Sequence, residues 1–120
     1  MPTERSITLP WPPSSNRLWR NCRGVMVKSE EARTYQLTIA ALARVKGIRP
    51  QDGEIKVTLD FYRPRKSGDL DNRIKVVLDG LQGTAFRDDS QVVEIHARRH
   101  DDPRRPRVEA KIEYLGEQAA

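Results

Sequence analysis

The sequence has few of the residues that build disulfides and zinc sites. It contains one cysteine, Cys22, and two histidines, His96 and His100, among 120 residues. A single cysteine excludes an internal disulfide, and so few thiols and imidazoles argue against a zinc site. No stretch approaches the roughly 20 consecutive apolar residues of a membrane-spanning helix, and residues 1–13 lack the apolar run of a signal peptide. We therefore expect an intracellular, cytoplasmic protein.

Negative charge is also in deficit, because 17 Asp and Glu residues stand against 22 Lys and Arg residues, giving a net charge of +5 at pH 7. A basic domain is a candidate nucleic-acid binder, since phosphate is the commonest partner of such a field. The alternative at this point is a soluble protein that is merely basic. The length suits one modest hydrophobic core, so residues 1–120 are expected to form a single domain.

The pattern of apolar residues predicts four strands and two helices. The predicted strands cover residues 6–9, 54–62, 92–97 and 108–114, the last two as a hairpin. The predicted helices run from an N-cap at Ser29 to Gly47 and from near Asp71 to Gly83. Residues 10–28 are predicted to be a long irregular segment, in which Trp11 covers the core. This order predicts an α/β (α+β) fold, a single small domain with a mixed sheet of about four strands and two helices.

Each predicted helix carries an apolar stripe at helical spacing, and the stripe indicates the face that is buried. The stripe of the first helix is Tyr35, Ile39, Leu42 and Ala43. The stripe of the second helix is Ile74, Val77, Leu78 and Leu81. Both helices are expected to cover the sheet with these faces.

Acidic residues occur in two groups, the segment Asp69-Leu70-Asp71-Asn72 at the start of the second helix and the pair Asp88-Asp89 before a strand. Asp-x-Asp alone is a weak signal, usually explained by a helix cap or a solvated turn. Clustered carboxylates repel each other and are usually gathered around a cation, and their hard oxygens favour Mg²⁺ or Mn²⁺. Such a metal can activate water and neutralise charge on a phosphodiester. We therefore predict a metal-dependent nuclease site at Asp69, Asp71 and Asp89.

Basic residues beside this motif, and others interleaved with tryptophans in residues 10–28, predict a surface for the nucleic-acid backbone. The predicted DNA-binding residues are Arg17, Arg20, Arg23, Lys28, Arg65, Lys66 and Arg73, together with Asn16 from the opening segment described below. Lys75, one helical turn after Asp71, either stabilises charge in the transition state or forms an i, i+4 ion pair, and the spacing leaves both open. The turn after the third predicted strand is also basic and fits either a part of the DNA surface or an ordinary solvated turn.

Three segments in order carry a resemblance to a known family. They are Ile7-Thr8-Leu9-Pro10-Trp11-Pro12-Pro13-Ser14 with Asn16-Arg17, then Asp69-Leu70-Asp71-Asn72 with Lys75, then Asp88-Asp89-Ser90-Gln91-Val92-Val93. In these segments the chain resembles the RusA family of Holliday junction resolvases. The resemblance implies a homodimeric endonuclease that needs Mg²⁺, or Mn²⁺ in its place, and cuts four-way DNA junctions by paired nicks.

The resemblance also implies roles for single residues. Asp69, Asp71 and Asp89 match the essential aspartates of the family, and Lys75 matches its essential lysine. Asp88 is the weaker candidate, whose carboxylate supports the loop or a metal-bound water. The competing interpretations are a non-catalytic module that binds branched nucleic acid, with its carboxylates serving only as caps, and a structural protein that acts by partner contact.

Overall fold

The computed structural model of the chain describes residues 3–13, 19–66 and 70–116. In this part of the chain the elements are β1 (Glu4–Pro10), β2 (Trp19–Cys22), β3 (Val25–Lys28), α1 (Glu30–Val45), β4 (Ile55–Arg63), α2 (Leu70–Leu81), β5 (Val92–Asp101) and β6 (Arg107–Tyr114). One turn of 3-10 helix, Asp89–Gln91, directly precedes β5. Neither helix within these ranges is long and apolar enough to cross a membrane.

Four strands form one mixed sheet in the order β1-β6-β4-β5. β6 is antiparallel to both β1 and β4, whereas β5 is parallel to β4. The apolar residues of β4 are fully buried: Ile55, Val57, Leu59 and Phe61. The residues between them are half-buried, so one face of the sheet forms the core beneath the two helices and the other is open. The predicted fold class is confirmed.

The prediction that β5 and β6 form a hairpin is wrong, because β4 lies between them in the sheet. Tyr62 of β4 pairs with His100 on one side and with Arg107 on the other. The connection 102–106 therefore crosses the end of β4, a distance of about 10 Å for two strand spacings, which a segment of this length spans. Periodicity identifies a strand, but it does not identify the strand with which it pairs.

Residues 19–28, predicted to be irregular, form an antiparallel hairpin of β2 and β3. Its turn residues Arg23 and Gly24 both have positive φ, 53° and 81°. A two-residue hairpin turn of the favoured hand needs this conformation, and glycine adopts it without strain. Arg-Gly is a weaker hairpin signal than Asn-Gly or Asp-Gly, which is why the spacing of basic and aromatic residues does not predict it.

The first helix follows the prediction closely. The Ser29 Oγ accepts a hydrogen bond from the backbone N–H of Ala32 at 3.2 Å and caps the helix. Gly47 follows the last turn with a φ of 72°. The predicted stripe is confirmed, since Tyr35, Ile39 and Ala43 are buried and Leu42 is partly buried against the core.

The buried stripe of α2 is rotated from the prediction. Its buried residues are Val76, Val77, Gly80 and Leu81, whereas Ile74 and Leu78 are only partly buried. The cause is the close approach of α1, because a Cβ atom at Gly80 would lie 2.4 Å from the Ile39 Cδ1. Gly80 therefore faces α1, and Ile74 and Leu78 turn toward the flank next to β5.

We expect Gly80→Ala to lower the free energy of unfolding by about 1 kcal/mol. Overpacking against Ile39 destabilises the fold by about 1–3 kcal/mol, and the higher helix propensity of alanine offsets up to about 1 kcal/mol of that loss. Ile39→Val removes the atom in contact. The double variant should therefore be about 1 kcal/mol more stable than the sum of the single effects predicts. Urea unfolding of the four proteins measures this coupling, and strictly additive effects would contradict the contact.

Candidate active site

Asp71 lies in the first turn of α2, which follows the carboxyl end of β4. Its side chain is exposed, and its Oδ1 accepts a hydrogen bond from the backbone N–H of Asn72 at 3.1 Å. The positive end of the helix dipole favours a carboxylate at this position. Asp69, the predicted neighbour of Asp71 in the site, lies outside the described residues.

Arg73 fixes this end of α2 to the segment that follows β1. Its Nη1 donates a hydrogen bond to the Pro12 carbonyl oxygen at 2.7 Å, and its guanidinium lies 5.4 Å from the Trp11 ring centroid, a cation–π distance. Trp11 contacts Phe61 edge to face and covers the core as predicted. Arg73 is half-buried and engaged within the chain, and its role in DNA contact stays a prediction.

Lys75 is exposed, one turn beyond Asp71 on α2. Its two helix neighbours of opposite charge are Asp71 and Asp79. Neither forms an ion pair with it, and no other carboxylate in the described ranges does so. Of the two interpretations that the spacing left open, the simple i, i+4 ion pair is therefore not formed in the structure. Among the residues that the structure describes, the ammonium therefore has no ion-pair partner.

The neighbouring carboxylates of Asp88 and Asp89 have different surroundings. The Asp88 Oδ2 accepts hydrogen bonds from the backbone N–H of Ser90, at 3.2 Å, and from the Ser90 hydroxyl, and these bonds lower the pKa of Asp88. The Asp89 side chain is exposed, and no described residue pairs with it. Asp88 therefore supports the turn, and Asp89 remains the candidate ligand.

Gln91 organises this turn and was not singled out by the sequence reasoning. Its Oε1 accepts hydrogen bonds from the backbone N–H groups of Arg87 and Asp88 at 2.7 and 2.9 Å. Its Nε2 donates to the carbonyl oxygens of Gln51 and Gly53 at 2.8 and 2.7 Å. The turn is thus attached to the loop before β4. An Asp followed three residues later by Gln is close to a capping-box pattern, and this signal was available in the sequence.

The two described aspartates of the predicted site lie at opposite ends of the sheet. Val92, directly after the Asp89 turn, pairs with Ile55 at the start of β4, whereas the start of α2 is fixed near Phe61. Six residue steps of about 3.3 Å put Asp71 and Asp89 of one chain roughly 20 Å apart. Within the described ranges no three Asp, Glu, His or Cys residues are close enough to hold a metal together. A single chain does not bring these two aspartates together.

The side of the molecule between these two carboxylates is partly apolar. Ile95 of β5 pairs with Val57 and so lies on the helix-covered face, yet its side chain is 43% exposed and that of Val93 is 51% exposed. Ile74 and Leu78 of α2 are also incompletely buried. We call these four residues, Ile74, Leu78, Val93 and Ile95, the α2–β5 flank. The single chain leaves this flank uncovered.

The predicted DNA-binding residues are found in several places. Arg65 and Lys66 are exposed in the loop after β4, and Arg23 is exposed at the β2–β3 turn. The backbone of Arg20 belongs to β2 and that of Lys28 to β3; the structure does not describe their side chains. Asn16 and Arg17 lie outside the described residues altogether.

Comparison with known proteins identifies the family. The profile of the family described as Endodeoxyribonuclease RusA matches residues 10–113. The chain belongs to the RusA family. The crossover junction endodeoxyribonuclease RusA of Escherichia coli K12 is 34% identical in an alignment of 116 positions that covers 92% of this chain and 95% of the relative. The protein of the same name from Enterobacteria phage 82 is 35% identical in an alignment of 115 positions that covers 92% of this chain and 94% of the relative. The predicted family is confirmed, and the RusA match includes the segments of all four predicted catalytic residues.

Proposed function

We propose that this RusA family member is a Mg²⁺-dependent endodeoxyribonuclease that resolves Holliday junctions by paired symmetric nicks in DNA recombination and repair. The observation that carries the proposal is the family match over residues 10–113, together with relatives named crossover junction endodeoxyribonucleases over nearly the whole chain. The substrate is four-way branched DNA in the cytoplasm, and the active form is a homodimer.

The metal site in this proposal is shared between two chains. Within one chain, Asp71 and Asp89 are separated by about 20 Å along the strand direction. A two-fold axis through the middle of the α2–β5 flank reverses that direction for the partner. It brings Asp71 of one chain to the partner's Asp89, and it generates the same site twice. Two sites related in this way suit a junction with approximate two-fold symmetry, with one site for each opposing strand.

The α2–β5 flank is the surface that such a dimer would bury. Asp71 precedes Ile74 by three residues and Leu78 by seven, so all three side chains lie on one side of α2. Covering Val93 and Ile95 removes apolar surface from water at about 25 cal/mol per Å². The contact that stabilises the dimer therefore lies directly beside the helix face that carries Asp71.

The donor set suits Mg²⁺, because the exposed carboxylates of Asp71 and Asp89 form no ion pair with a described residue and offer the hard oxygen ligands that this ion prefers. Asp69, Asp71 and the partner's Asp89 would hold it, or Mn²⁺ in its place. When bound, the ion supplies a Lewis acid for the scissile phosphate and an activated water.

The basic residues of the chain would complete the site. The exposed ammonium of Lys75 would stabilise negative charge that develops on the phosphate in the transition state. The side chains of Arg23, Arg65 and Lys66 would hold the DNA backbone through phosphate contacts. With them would act Asn16, Arg17, Arg20 and Lys28.

We expect Asp71→Asn to reduce cleavage of a synthetic four-way junction at least about 100-fold, because a metal ligand is lost. Junction binding should persist or improve, since a negative charge near the phosphate is removed. The assay compares the variant with the unmodified protein, with and without Mg²⁺, beside linear duplex of the same sequence. Metal-independent binding without cleavage by the unmodified protein would favour the non-catalytic module. Equal cleavage of linear duplex would contradict resolvase activity.

Mixing two inactive variants tests whether the site is shared. In a mixed dimer of Asp71→Asn and Asp89→Asn chains, a shared arrangement leaves one site with both aspartates intact and the other with neither. Co-refolding the two variants should therefore restore nicking of one strand, to roughly a quarter of normal activity from statistical pairing of the chains. If both aspartates acted within one chain, every site in the mixture would lack one of them, and no activity would return.

We expect Ile95→Glu to convert the dimer to a monomer and to abolish cleavage, because a charge would be buried in the α2–β5 flank. The matched control is Leu37→Glu, since Leu37 lies on α1 and is already 72% exposed. Sedimentation and circular dichroism report mass and folding of both variants. A dimeric, active Ile95→Glu protein would exclude the flank as the dimer surface.

A further inference from the structure

A cluster of exposed cations surrounds the carboxyl end of β4. Its members, here called the strand-end cluster, are Arg65, Lys66, Arg99, Arg104 and Arg105. They come from the loop after β4, from β5, and from the connection between β5 and β6. The backbone N–H of Asp102 donates to the Arg63 carbonyl oxygen at 3.1 Å, which joins the loop and the connection at one end of the sheet.

The acidic residues at this end are already paired with other arginines. Asp101 accepts a hydrogen bond from the Arg63 Nε. The Asp102 Oδ2 lies 2.9 Å from the Arg107 Nη1. None of the five residues of the strand-end cluster forms an ion pair with a described side chain. The carboxylates thus order the connection. Asp101 also interacts electrostatically with Lys66 and Arg99, but the five cations of the cluster outnumber the acidic groups beside them.

The connection that carries Arg104 and Arg105 is held in shape before any partner arrives. The backbone N–H of Arg105 donates to the carbonyl oxygen of Asp102 at 3.3 Å and to its Oδ1 at 3.2 Å. The Arg105 carbonyl oxygen accepts from the Arg107 Nη1 at 2.9 Å. Pro103 and Pro106 restrict the backbone further. A pre-ordered surface binds with less loss of conformational entropy.

The aromatic ring beside the cluster is not open to an unpaired base. Tyr62, on the open face of β4, stacks on His100 at 4.6 Å between ring centroids. On its other side the Arg107 guanidinium lies 3.8 Å from the ring centroid. Single-stranded DNA is usually held by stacking of bases on free aromatic faces, whereas both faces of the Tyr62 ring are already covered. The arrangement suits the phosphates of a duplex.

We propose that the strand-end cluster binds the phosphate backbone of a duplex arm of the junction, through Arg99, Arg104 and Arg105 in addition to Arg65 and Lys66. This inference rests on the proposed function, because the arm belongs to a branched DNA substrate. The cluster lies at the same end of the sheet as the start of α2. An arm held there is adjacent to the Asp71 region, and it contributes affinity and orientation, while the chemistry belongs to the metal site.

The test is the salt dependence of DNA binding by the full-length protein, measured by fluorescence anisotropy in EDTA between 50 and 200 mM salt (about the range over which phosphate contacts dominate). The probes are a synthetic four-way junction and a linear duplex. The double variant Arg104→Ala/Arg105→Ala should lower the slope of log K against log salt by about 1.8 for each cluster in contact with DNA, since each phosphate contact contributes about 0.9. A dimer that holds two arms of the junction should therefore lose about 3.6.

The matched control is Arg44→Ala/Arg49→Ala, which removes the same two charges. Arg44 lies in the last turn of α1, and Arg49 follows that helix; both are exposed. The Lys46 Nζ donates a hydrogen bond to the carbonyl oxygen of Ser6 in β1. Since β1 is the edge strand farthest from β5, the control site lies on the other side of the sheet from Arg99 and the α2–β5 flank. Its slope should equal that of the unmodified protein.

Equal slopes for the two double variants would overturn the proposal, since net charge alone would then explain the effect. A failure of the proposed function appears differently, as an unmodified protein that does not prefer or cleave the junction. In that case the slope on linear duplex still decides whether the strand-end cluster contacts DNA. An unmodified protein that binds neither probe would overturn both.

Discussion

The parallel pairing of β4 and β5 is the constraint on which the placement of the candidate site depends. Because the strands are parallel, the turn that carries Asp89 lies beside the start of β4, while α2 and Asp71 follow its end. An antiparallel pair would have placed both carboxylates at one end of the sheet. The pairing extends along the whole of β4, from Ile55 to Arg63, with one register shift between Ile55 and Lys56, and β4 is buried on its inner face.

Because of this constraint, we propose that the functional unit is a dimer and not a single chain. Asp71 and Asp89 of one chain lie about 20 Å apart. Side-chain movement within a close-packed chain cannot bring them to the same metal ion. A two-fold axis solves the same problem without deforming the fold, because it places opposite ends of two identical sheets side by side. In our proposal, catalysis therefore requires the dimer, and the apolar side chains of the α2–β5 flank support catalysis by stabilising that dimer.

The sequence predicted those features that depend on local pattern. Alternation along β4 and the Ser29 cap of α1 gave the correct elements, and the acidic segments gave the correct family. Features that depend on a distant neighbour were not predicted. The position of β4 between β5 and β6 is set by strand pairing, and the rotation of α2 is set by the contact of Gly80 with Ile39. Neither leaves a periodic signal in the residues concerned.

Residues of one chemical type also divide into two roles that spacing alone does not separate. The Asp88 carboxylate accepts hydrogen bonds from Ser90, whereas the Asp89 carboxylate beside it has no partner among the described residues. Arg73 anchors the segment after β1, whereas Lys75 on the same helix has no described partner. A charged side chain engaged within its own fold loses part of what it can offer a ligand, because that interaction must be broken or shared. We therefore expect exposed charges without a described ion-pair partner, such as Asp89 and Lys75, to contribute more to the functional surface than Asp88 and Arg73.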